Sequence, residues 1–127
     1  MFRIVLMLAG SAAALSLIAA SGALPATAAE VAFDLKVAHG RVPDNMRLIR
    51  VKEGDIVRLR WTTDQPLVLH LHGYDIEKRI GPGAATELTF TAYATGRFPI
   101  HVHAQGEHAG DHAHGDAPLV NVEVYPR

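Results

Sequence analysis

The sequence predicts an all-β fold, a sandwich of seven to eight short strands. Three observations carry that prediction. Apolar and polar residues alternate with a period of two in run after run, as strands with one buried face require. Gly, Pro, Asp and Asn clusters punctuate those runs at short intervals. No segment beyond residue 29 shows the 3.6-residue apolar period of a helix.

The first stretch is set apart from that pattern. Met1-Phe2-Arg3 is a short basic start, Ile4 to Ile18 is an apolar run rich in small residues, and Ala26-Thr27-Ala28 has the small-x-small form of a signal-peptidase site. The run is short for a membrane span, and no stop-transfer flank follows it. The expectation is therefore a cleaved signal peptide over residues 1–28 and a single domain over 29–127. The Ala-rich leader points to a bacterial envelope, with a periplasmic address and no membrane association after cleavage.

Within the domain, Val31 to Val37 alternates and reads as the first strand. His39-Gly40 and Pro43-Asp44-Asn45 make a loop, and Met46 to Lys52 alternates again. Glu53-Gly54-Asp55 is a tight turn into Ile56 to Thr62, and these two runs form the strongest hairpin signal in the chain. Thr63 to Pro66 breaks the pattern before a strand over Leu67 to His72. Asp75 to Ile80 reads as an edge strand, Gly81-Pro82-Gly83 as a turn, and Thr86 to Thr91 as a strand with Leu88 and Phe90 inward. Arg97 to His103 and Leu119 to Tyr125 complete the set, separated by a loop over 104–118 with no apolar period. Trp61 is read as core.

Composition removes several function classes. The 127 residues carry a net charge of -1, and loss of Arg3 with the leader leaves 11 basic against 13 acidic residues. Nothing basic is clustered, so nucleic acid is not an expected partner. There is no Cys, which excludes both disulfides and thiolate chemistry. No Ser-His-Asp spacing, phosphate-cradling Gly loop or paired carboxylate supports a hydrolase.

Histidine is the informative residue. Seven of the eight lie between positions 70 and 114. His70 and His72 end one β run (LVLHLHGY) and His101 and His103 end another (RFPIHVH). With a side-chain period of two, each His-x-His pair presents both imidazoles on one face. If Leu67, Leu69 and Leu71 face the core, His70 and His72 point outward, as do His101 and His103 opposite Phe98, Ile100 and Val102. The pairs meet only where their strands are neighbours in one sheet. His108, His112 and His114, interleaved with Glu107, Asp111 and Asp116, form a His-rich loop from which His108 is the expected extra ligand. His39 stands alone and is read as solvated. Asp75 and Glu77 are candidates to orient His72, set against an ordinary surface role.

The Val51 to Trp61 segment (VKEGDIVRLRW), His72-Gly73-Tyr74 and the Thr95 to His103 segment (TGRFPIHVH) together resemble a cupredoxin domain, over roughly Val31 to Tyr125. The resemblance implies a Greek-key β-sandwich. In blue-copper members a His of the earlier strand meets a Cys, a His and usually a Met of the C-terminal strand and loop. His72 matches the first of these, but the Cys position falls at or beside Val102. The one Met of the domain, Met46, lies in an early strand. A blue-copper electron-transfer site is therefore not expected. His70-Leu71-His72-Gly73 and His101-Val102-His103 are also similar to the His-x-His-Gly and His-Cys-His segments of multicopper oxidases. That likeness implies imidazole–copper chemistry without the oxidase cycle, which needs several domains and a type 1 copper.

The expected function is an exported, periplasmic copper-binding protein, not an enzyme. Its metal ligands are drawn from His70, His72, His101, His103 and His108, and its role is copper carriage, buffering or tolerance. Cu(II) is the expected ion, because neutral imidazole without thiolate or thioether favours it and copper heads the affinity order; zinc or nickel would suit the same donors. Its partners would be the metal ion and a periplasmic copper-handling protein. Two rival readings are a metal-free cupredoxin-like interaction module and a small His-ligated copper redox enzyme.

Overall fold

A computed structural model describes residue 22 and residues 27–104 and 117–127. Residues 1–21, 23–26 and 105–116 lie outside the described residues, and with them most of the predicted signal peptide and His108, His112 and His114.

Eight strands form in the order β1 (Glu30–Val37), β2 (Leu48–Lys52), β3 (Ile56–Thr63), β4 (Leu67–Leu71), β5 (Ile76–Ile80), β6 (Thr86–Thr91), β7 (Gly96–Ala104) and β8 (Val120–Tyr125). They make two sheets, β1-β3-β6 and β2-β8-β7-β4-β5. Among the described residues there is no α-helix, only a 3-10 turn at Asp44–Met46. The fold is an all-β, cupredoxin-like sandwich.

Alternation decides which face of each strand is covered. Leu35 and Val37 of β1, Val57, Leu59 and Trp61 of β3, and Leu88 and Phe90 of β6 supply one wall of the core. Ile49, Val51, Leu67, Leu69, Leu71, Ile100, Val120, Val122 and Val124 supply the other. Fully burying a side chain of this size contributes about 1.5–3 kcal/mol, so the two apolar faces bind each other and leave both outer faces polar. Trp61 is fully buried, as expected.

One expectation is corrected. The Met46–Lys52 and Ile56–Thr62 runs do not pair as a hairpin. β2 lies parallel to β8, and β3 lies parallel to β1 and antiparallel to β6, so the two runs sit in different sheets. Met46 itself belongs to the 3-10 turn rather than to β2. The reason lies in the turn between the strands. Its N–H groups donate to three separate segments: Glu53 to the Tyr125 carbonyl (2.7 Å), Gly54 to that of Ala92 (2.8 Å) and Asp55 to that of Lys52 (3.0 Å). The Asp55 carboxylate in turn accepts from Lys52 N–H (3.0 Å) and Ala29 N–H (3.2 Å) and meets Arg127. The chain thus crosses from one sheet to the other at Gly54, whose φ of 88° suits glycine.

Candidate metal centre

β4 and β7 are direct antiparallel neighbours, in register His70↔His101, Val68↔His103 and Leu69↔Val102. Residues directly opposite across an antiparallel pair share a face. Leu67, Leu69 and Leu71 are buried and Ile100 is fully buried, so His70, His101 and His103 stand together on the outer face of the five-stranded sheet, each half-buried. Phe98 and Val102 pack inward against the core.

His72 lies just past the end of β4 and reaches the same place by a turn. Its N–H donates to the Pro99 carbonyl (3.0 Å). Pro99 has no N–H to return, so the β4–β7 ladder closes at this pair and the chain bends away. Gly73 follows with a φ of 85°, and a Cβ built on it would lie 2.4 Å from the Phe98 ring. The Tyr74 ring is buried against Phe90 and Phe98, with centroids 5.0 and 4.7 Å away, and its hydroxyl donates to the Ala94 carbonyl (2.9 Å). Burial raises the Tyr74 phenol above its ordinary pKa. The turn is therefore pinned on both sides, and His72 is held over the strand pair.

Three rings meet as a result. The centroids of His70 and His72 are 4.1 Å apart, and those of His72 and His101 are 4.9 Å apart in a T-shaped contact. Two imidazoles bound side by side on one ion at ~2 Å have centroids roughly 4.5–5 Å apart, so the His72–His101 spacing matches that of cis ligands, and the His70–His72 pair is closer than that. Among the described residues, no group of three or more His, Asp or Glu side chains is already set as a metal cage. Ring rotation is needed to turn the nitrogens toward one point. His103 lies one row further along β7, opposite Val68. His108 lies outside the described residues.

Two acidic residues lie beside His70. Asp75 Oδ1 is 4.0 Å from His70 Nε2, and Glu77 of β5 lies directly opposite His70. Both follow from the tightness of the turn, in which Asp75 adopts a φ of 54°. His39 is separate from this cluster: it is exposed, with Nδ1 3.8 Å from Asp64.

The donor set suits an imidazole-binding ion and not a type 1 copper. Met46 and Val102 both pack against the core, and the chain has no Cys to supply a thiolate. Elsewhere on the same outer face, Glu123 lies opposite both Arg50 and Arg97. Hydrogen bonds from the Tyr125 hydroxyl and the Arg97 guanidinium hold its carboxyl down at about 2.

No protein-family model and no curated protein sequence matches the chain. Solved structures do match in fold. An apo-form copper binding protein solved by NMR superposes with a TM-score of 0.56 at 12% identity, covering 75% of this chain and 87% of that one. A multi-copper oxidase from Pseudomonas thermotolerans gives 0.57 at 20% identity, over 80% of this chain and 31% of that one. A copper nitrite reductase from Nitrosomonas europaea gives 0.52 at 22% identity, over 77% of this chain and 42% of that one. This chain thus spans less than half the length of the oxidase and the reductase. These likenesses define the class as a cupredoxin-like β-sandwich.

Proposed function

We propose that this protein is exported to the periplasm and binds copper there for carriage, buffering or tolerance. His70, His72 and His101 form the ligand nucleus, His103 stands in the next row, and His108 is an added donor. The observation that carries the reading is the β4–β7 register, which sets His70 opposite His101 while the Gly73 turn brings His72 within 4.9 Å of the latter. Neutral nitrogen donors without sulfur favour Cu(II), and copper's position in the affinity order makes it the first occupant of such a site, ahead of zinc or nickel. Support also comes from a neighbour of the same fold, nearly all of whose chain is covered, that is itself described as a copper binding protein. The role we propose is binding rather than the multicopper oxidase cycle, which needs a thiolate-held copper that a chain without Cys does not supply. A periplasmic copper-handling protein would receive or supply the cargo.

Metal analysis and electron paramagnetic resonance of the purified domain test this directly. The expected result is about one Cu(II) per chain with nitrogen hyperfine structure and no intense blue band. His72→Ala and His101→Ala each lose stoichiometric copper, while His39→Ala retains it. Equal copper binding in all three variants would mean that the ion is held elsewhere, and a parent protein that takes up no stoichiometric copper would leave the metal-free interaction module.

A further inference from the structure

A cavity of about 450 Å³ opens beside the imidazole cluster, between the 38–47 loop and the start of β8, and His101 forms part of its wall. Among the described residues the remaining polar lining is Arg41, Arg47 and Asp44, with Val102 and Leu119 among the apolar walls. The loop is held in place through its backbone. Ala38 and Arg41 exchange backbone hydrogen bonds (2.8 and 3.1 Å), and Asn121 N–H of β8 donates to the Arg47 carbonyl (2.9 Å). Arg41 and Arg47 are carried on this scaffold and line the cavity. Asp44 lies 3.7 Å from Arg47 and is fully exposed, so it offsets part of one charge. Among the described residues the lining carries two guanidinium groups against one carboxylate, in a volume that falls in the small-molecule range.

We propose that this cavity binds a small oxyanion, a carboxylate or phosphate compound, through Arg41 and Arg47, with its anionic end beside His101. Guanidinium forks match the planar or tetrahedral oxygens of these groups, and a partly enclosed site strengthens each charge-assisted hydrogen bond. Because His101 belongs to both the cavity wall and the ring cluster, the bound anion is an adjacent oxygen donor for an ion held there. In that respect the inference rests on the copper reading: the cargo would be a copper–oxyanion chelate, not the bare ion. The anion site itself does not depend on copper.

Titration of the metal-free protein with succinate and, separately, with inorganic phosphate, followed by calorimetry or NMR, tests the site and identifies the anion class. The expected result is saturable one-to-one binding of at least one of the two, unaffected by chloride at equal ionic strength. Arg41→Gln and Arg47→Gln should each weaken it by about tenfold or more, the loss expected for a charge-assisted hydrogen bond. The two readings then separate. The Arg41→Gln and Arg47→Gln double variant keeps its copper stoichiometry and loses the anion, whereas His72→Ala loses copper and keeps the anion. Absence of saturable binding by either probe, or binding unchanged in the double variant, overturns the proposal.

Discussion

Gly73 is the residue at which the candidate centre places its strictest demand on the backbone. Its φ of 85° lies in the left-handed region, and the Phe98 ring occupies the space that a side chain would need, 2.4 Å from an ideal Cβ. Left-handed backbone costs an L-residue about 1–2 kcal/mol, and forcing a methyl into a packed ring adds roughly 1–3 kcal/mol. Gly73→Ala should therefore destabilise the domain by about 2–5 kcal/mol in urea unfolding. It should also weaken copper binding beyond that loss, because the turn that carries His72 would have to move off Phe98. A change below about 1 kcal/mol would show that the turn tolerates a side chain and does not fix the ring. Sequence made part of this legible: the His-Gly-Tyr order marked a turn after a strand. What it could not show was that Phe98, on another strand, fills the space above Gly73, or that Asp75 comes within 4.0 Å of His70.

The elements show where pattern reading succeeds and where it stops. Apolar patterning and turn residues marked the strand runs, with the edge strand β5 the one that does not alternate, and parity placed His70, His101 and His103 on the uncovered face, because burial parity is a local property of each run. Pairing is not local. The β2 and β3 runs read as a hairpin, yet the turn between them sends its hydrogen bonds to Tyr125, Ala92 and Ala29, segments that no nearby residue could have announced. The cavity beside His101 escaped for the same reason, since it exists only where the 38–47 loop meets β8. Asp55 is the chemical centre of the crossing and, among the described residues, the one buried charged side chain. The Lys52 N–H holds its carboxyl below the ordinary value of 3.8, helped by Ala29 N–H and Arg127. A depressed folded pKa contributes stability at pH above the unfolded value, and that contribution is lost as pH falls through the folded one. Asp55→Asn should thus cost about 1–3 kcal/mol at neutral pH. The gap between variant and parent in urea unfolding should narrow below about pH 4. A gap of the same size at pH 7 and pH 3 would mean that the carboxylate charge is not what ties the two sheets at this corner.

At the scale of the whole molecule, the core and the candidate centre lie on opposite sides of one sheet. Trp61, Leu69, Leu71, Ile100 and Val122 fill the space between the sheets, while the imidazoles stand on the outer face and give the core no side chain. A protein whose metal organises its interior unfolds when the metal is taken away, because binding energy is then folding energy. Here no imidazole of the centre lines the interior, so removal of the ion should cost only the linkage contribution, which grows as the logarithm of free metal over its dissociation constant. With free Cu(II) at 100 times that constant, the difference is about 2.7 kcal/mol. Treatment with a strong chelator should therefore leave the β-sheet circular dichroism spectrum and a single cooperative unfolding transition in place, with a lower midpoint. His72→Ala should unfold at the midpoint of the chelated parent and show no further drop with chelator, since the ion has nothing left to stabilise. Collapse of the spectrum on chelation would mean that the ion is part of the fold, and an outer-face site could not then account for it.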